Sequence, residues 1–80
     1  MTLFLVERFL PSMSAAEVSA ASARLAAGEG VRHLWTVLVA AEETCLSLFE
    51  GADARAVEAA NRRAGFPFDR VVEATAIEPA

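Results

Sequence analysis

The stretch from Val31 to Ala40 constrains the fold most, because it places His33, Trp35 and Val37 on one side of a strand and Leu34, Thr36 and Leu38 on the other. Both sides carry groups that favour burial. The other strand-like runs share this two-sidedness, which predicts a sheet with helices over one face and a second subunit over the other.

At 80 residues and 8.5 kDa, with no linker-like break, the chain (1–80) reads as one domain. A domain this small is marginal alone, and natural chains of this size add disulfides, a metal or a partner subunit. Cys45 is the single cysteine, which excludes an internal disulfide and suits a reducing cytoplasm. The apolar run Thr2 to Leu10 contains Glu7 and Arg8 and has no basic leader, so it reads as a strand rather than a signal peptide, and it is too short to span a bilayer. Net charge is -4, lysine is absent and the arginines are scattered apart from Arg62, Arg63 and Arg70. A phosphate backbone requires a concentrated basic surface, so neither a nucleic acid nor a membrane is an expected partner.

Six elements follow along the chain. Thr2 to Phe9 reads as a strand ended by Pro11. Ser14-Ala15-Ala16-Glu17 matches a capping box and starts a helix over about Ala15 to Ala27, with Val18, Ala21, Ser22 and Leu25 at helical spacing and Gly28 or Gly30 as the stop. Val31 to Ala40 and Thr44 to Glu50, joined by Ala41-Glu42-Glu43, form a hairpin. Asp53 caps a second helix with an inner stripe of Ala56, Val57, Ala60 and Ala64, closed by Gly65 and Pro67. Arg62 and Arg63 lie in its last turn, where cations complement the helix dipole. Arg70 to Glu78 is the last strand. The order βαββαβ predicts an α+β ferredoxin-like sandwich: an antiparallel sheet ordered 4-1-3-2 with both helices on one face.

Alternation sorts the strand residues into two sets. Phe4, Val6, Leu34, Leu38, Leu46, Leu48, Val72, Ala74 and Ala76 form the helix-covered core, with Thr36 as its central polar member. The open face then carries Leu5, Glu7, His33, Trp35, Val37, Cys45, Ser47, Phe49, Glu73 and Thr75, a mixture that suits a subunit interface or a ligand cavity.

Two segments carry a resemblance: Phe4-Leu5-Val6-Glu7-Arg8, and Ala64-Gly65-Phe66-Pro67-Phe68-Asp69-Arg70-Val71-Val72-Glu73. They resemble the signatures of a family of small bacterial ferredoxin-like domains of unknown function, one branch of which is nickel-binding and dimeric. The resemblance spans nearly the whole chain and implies the same fold, a homodimer and nickel. Three features depart from the family's pattern. His33 precedes Trp35 where the family has the reverse order, Asn61 stands where a histidine is frequent, and Ser47 stands where a cysteine is frequent.

The donor types suited to nickel or another divalent transition metal are the imidazole of His33 and the carboxylates of Glu7 and Glu73, with Cys45 as a softer option. Sheet order separates His33 from both glutamates within one chain, so a metal site would need two chains face to face. Trp35 with Phe49, beside Cys45, reads as an aromatic wall for a ligand or as dimer core. Glu7 with Glu73 as a carboxylate pair, and Cys45 with His33 as nucleophile and base, are weaker constellations. The reading is therefore a homodimeric binding or accessory protein that holds a metal or small molecule at its open sheet face. The alternative is a cofactor-independent enzyme of the dimeric α+β barrel type, with a hollow lined by Trp35, Phe49 and His33.

Overall fold

A computed structural model describes residues 1–25 and 30–77. Within them β1 (Thr2–Phe9), α1 (Ala15–Leu25), β2 (Val31–Val39), β3 (Thr44–Gly51), α2 (Ala54–Arg63) and β4 (Arg70–Ala74) follow in the order βαββαβ. The four strands form one antiparallel sheet in the order β2-β3-β1-β4, which read from its other edge is 4-1-3-2.

Local chemistry sets the element boundaries. The capping box is formed reciprocally: Glu17 N–H donates to Ser14 Oγ at 3.2 Å, and Ser14 N–H donates to Glu17 Oε1 at 3.0 Å. The expected end of this helix at Ala27 and Gly28 lies outside the described residues. Asp53 caps α2 by accepting from Ala56 N–H at 2.9 Å, and Gly65 follows the helix at φ 66°, a left-handed conformation that glycine adopts without a Cβ penalty. A 3₁₀ turn, Ala40–Glu42, and a left-handed Glu43 close the β2–β3 hairpin. β4 is shorter than expected, ending at Ala74 rather than Glu78. Its last pair is Ala74 with Leu3, close to the start of β1.

The core lies between both helices and one face of the sheet. Val18, Ala21 and Leu25 of α1 and Val57 of α2 pack with Phe4, Val6, Cys45, Phe49 and Phe66. Arg24 Nε of α1 donates to the Ala64 carbonyl at 2.6 Å, tying the two helices together.

The expected facing is reversed on two strands and on part of a third. On β3 the inward residues are Cys45, Ser47 and Phe49, while Leu46 and Leu48 face outward with Leu5. On β4, Val71 is opposite Val6 on the helix side and Val72 opposite Leu5 on the open side, the reverse of the expected assignment. On β2 the register slips between His33 and Trp35. This bulge turns His33, Thr36 and Leu38 toward the helices and leaves Trp35 and Val37 outside, so His33 and Trp35 no longer share a face.

The physical cause on β3 is Arg8. It continues the alternation of Phe4 and Val6 inward and is 1% exposed. A buried guanidinium requires acceptors, and Ser47 in the inward row supplies one. The leucines consequently lie on the opposite face.

Candidate functional site: a buried polar chain leading to the α1–β2 cleft

Arg8, rooted on β1, forms the centre of the site. Its Nη1 donates to Asn61 Oδ1 of α2 at 2.8 Å and to the Phe66 and Pro67 carbonyls at 3.5 and 3.2 Å. Its Nη2 donates to Ser47 Oγ at 2.7 Å, and the guanidinium stacks on the Phe66 ring at 3.6 Å. Nε is buried with no hydrogen-bond partner among the described residues. Asn61 is held in turn by donating to the Val57 carbonyl at 2.8 Å.

The chain continues toward β2. Ser47 Oγ lies 2.8 Å from Thr36 Oγ1, which also accepts from Ser22 Oγ of α1 at 2.8 Å and lies 2.7 Å from His33 Nε2. His33, Thr36 and Ser22 line a cleft of about 470 Å³ together with Ala15, Val18, Ser19, Ala23 and Leu38. That volume is within the range of small-molecule sites, and its polar lining is one imidazole and three hydroxyls.

The charge pattern is unusual for a core. Among the described residues no carboxylate bonds Arg8: its partners are an amide, a hydroxyl and two carbonyls. Burial lowers the pKa of Arg8, yet a guanidinium stays protonated in proteins, so the cluster holds a fixed positive charge. Burial also holds the His33 imidazole below its ordinary value; the Trp35 backbone acts in the opposite sense, and the charge on Arg8 adds to the lowering. The Cys45 thiol is pushed up by burial, more than the neighbouring Arg8 pulls it down.

The residues expected at the site from sequence are spread over the molecule. Glu7 is outward on β1, where its carboxylate takes both Nε and Nη2 of Arg70 at 3.1 and 3.0 Å. Glu73 is exposed on β4 and pairs with Phe4, which places it on the face opposite Glu7. His33 and Glu73 share one register row, His33–Phe49–Phe4–Glu73, at opposite edges of the sheet, about 14 Å apart at the usual strand spacing. Trp35 is on the open face, while Phe49 and Cys45 are fully buried beneath the helices. The expected wall of Trp35 and Phe49 is therefore divided by the sheet; the ring that Phe49 meets is His33, at 5.1 Å between centroids. The same division removes the hollow that Trp35, Phe49 and His33 would have lined together.

The alternation of β1 already pointed Arg8 inward. Thr36 stood out as the polar member of the core set, and Asn61 and Ser47 stood out as departures from a family pattern. The contact that joins them was not visible in the sequence.

A family model described as "Nickel responsive protein SCO4226-like" matches residues 4–74. The chain belongs to this family. A solved structure of SCO4226 from Streptomyces coelicolor A3(2) is similar to it with a TM-score of 0.81 and 25% identity, covering 95% of this chain and 99% of that one. No curated protein sequence matched.

The family's description raises nickel, and the donor chemistry tests it. Among the described residues no three His, Cys, Asp or Glu side chains converge. The polar cluster surrounds a cation, its one orphaned atom is an N–H donor that no metal ligates, and the hydroxyls around Thr36 are neutral. These residues do not fit a nickel centre.

Proposed function

We propose that the protein is a small homodimeric accessory protein. In this reading two copies pair through their open sheet faces, and each copy offers the α1–β2 cleft to a small polar ligand. We also read the βαββαβ order, with both helices on one side, as a ferredoxin-like sandwich.

The observation that carries the pairing is the apolar character of the open face. One row runs Trp35–Leu48–Leu5–Val72, and Val37 and Leu46 extend it toward Glu7 and Arg70. Trp35 and Val37 are 42% and 46% exposed, and Phe9 on the same side is 58% exposed. Removing such a face from water is worth roughly 25 cal/mol per Å² of apolar area, a large gain for a domain this small. The Glu7–Arg70 ion pair at its margin suits the polar rim of an interface. A self-complementary face is the ordinary basis of a two-fold dimer.

The ligand reading rests on the cleft beside His33, where hydroxyls and an imidazole suit a small hydrogen-bonding molecule and no metal is required. No helix of the described residues is long and apolar enough to cross a membrane.

Trp35, the single tryptophan, reports on the pairing directly. Its emission is expected to shift to the red on dilution as the face becomes hydrated, and iodide quenching is expected to rise with it. Red-shifted, freely quenched emission of a hydrated indole at every concentration, in both the unmodified protein and Trp35→Phe,Val37→Trp, would overturn the pairing.

A further inference from the structure

The hydroxyl chain between Arg8 and His33 has one arrangement that satisfies its hydrogens. Arg8 has only donors, so its Nη2 gives a hydrogen to Ser47 Oγ. Ser47 is fully buried, and its other partner is Thr36 Oγ1, so the Ser47 hydroxyl hydrogen goes there. Ser22 donates to the same oxygen. With two hydrogens received, Thr36 has its own to give, and it meets His33 Nε2 at 2.7 Å.

The opposite arrangement, with Nε2–H donating to Thr36, sends the Thr36 hydrogen to Ser47 and leaves a buried Ser47 O–H without an acceptor, which costs about 1–3 kcal/mol. The buried charge on Arg8 favours the first arrangement, because it polarises every hydroxyl dipole in the chain toward the imidazole. A metal ion at Nε2 needs the lone pair that Thr36 occupies. It would also sit at the end of a chain whose other end is a buried cation that no carboxylate among the described residues bonds.

We propose that the relay from Arg8 through Ser47 and Thr36 holds His33 Nε2 as a hydrogen-bond acceptor and so withholds the chain's single imidazole from nickel. Membership of a nickel-responsive family is then not accompanied by a nickel centre at this histidine. The proposal concerns the helix side of the sheet and is independent of the pairing of open faces.

The test uses untagged protein and nickel chloride. Calorimetric titration is expected to show no saturable uptake at micromolar nickel, and ¹⁵N spectra of the imidazole above neutral pH are expected to show Nδ1 protonated and Nε2 accepting. Thr36→Val removes the donor and frees Nε2, so paramagnetic broadening of the His33 ring should appear at about tenfold lower nickel, the factor equivalent to one hydrogen bond of ~1.4 kcal/mol. A saturable isotherm of one ion per chain or per dimer in the unmodified protein overturns the proposal. So does an Nε2–H tautomer, which is read from the unmodified protein even if the variant fails to fold, and so does a Thr36→Val variant with unchanged broadening.

Discussion

Arg8→Met tests the buried cluster by removing the guanidinium while keeping most of its stem. The replacement orphans the Asn61 Oδ1 and Phe66 carbonyl acceptors, since Ser47 retains Thr36 and Asn61 Nδ2 retains the Val57 carbonyl. Each buried acceptor left unpaired costs about 1–3 kcal/mol, and the lost stacking on Phe66 adds to this. Relief of the guanidinium's desolvation offsets part of the loss, which leaves a net destabilisation of about 2–5 kcal/mol. A domain of this length has roughly 4–12 kcal/mol in all, so the variant approaches the unfolding threshold. Adding Asn61→Leu and Ser47→Ala removes one of the two orphaned acceptors together with the remaining polar side chains around the site, leaves the Phe66 carbonyl in place, and should restore part of the loss, because a buried polar cluster replaced by apolar groups is often neutral. Urea unfolding at one fixed protein concentration measures both variants, with an unchanged slope as the check that the denatured state is the same. An Arg8→Met protein as stable as the parent, or a triple variant no better than the single one, would refute this account of the core.

Three further outcomes follow from local geometry. Ser14→Ala breaks both halves of the capping box and should lower stability by about 0.5–2 kcal/mol; an unmoved urea midpoint would show that α1 does not depend on it. Phe66→Ala, at a ring 1% exposed, should cost about 3–5 kcal/mol and Phe68→Ala clearly less, because Phe68 is only partly buried; the reverse ranking would contradict the packing. The lowered pKa of His33 means that the unfolded chain takes up the proton first as pH falls. Stability is therefore full above the ordinary value of 6.5, declines as pH drops below it, and levels off beneath the folded-state value; His33→Gln should flatten that part of the profile, and an unaltered profile would remove His33 as its source.

The order of elements, both helix starts and the hairpin were legible because each is set by local chemistry: Ser14 with Glu17, Asp53, Gly65, and alternating runs between turn residues. The faces were less legible. Alternation is a parity, so a single bulge between His33 and Trp35 reverses everything on one side of it, and nothing in Val31–Val39 marks where that bulge falls. On β3 the hydrophobic ranking of Leu46 and Leu48 over Ser47 gave the wrong parity. The deciding interaction, Arg8 to Ser47, lies 39 residues apart in sequence. An arginine in the inward row is rare enough that the alternation of Phe4 and Val6 was not carried on to it, although the spacing was intact. The metal ligands assigned from residue type fell on separate faces and edges for the same reason.

Molar mass by light scattering across micromolar concentrations tests the central reading most directly. The account predicts a particle of twice the 8.5 kDa chain mass for the unmodified protein, falling to the single-chain mass for Trp35→Glu, which places a charge in the middle of the apolar row. A single-chain mass for the unmodified protein throughout that range would contradict it.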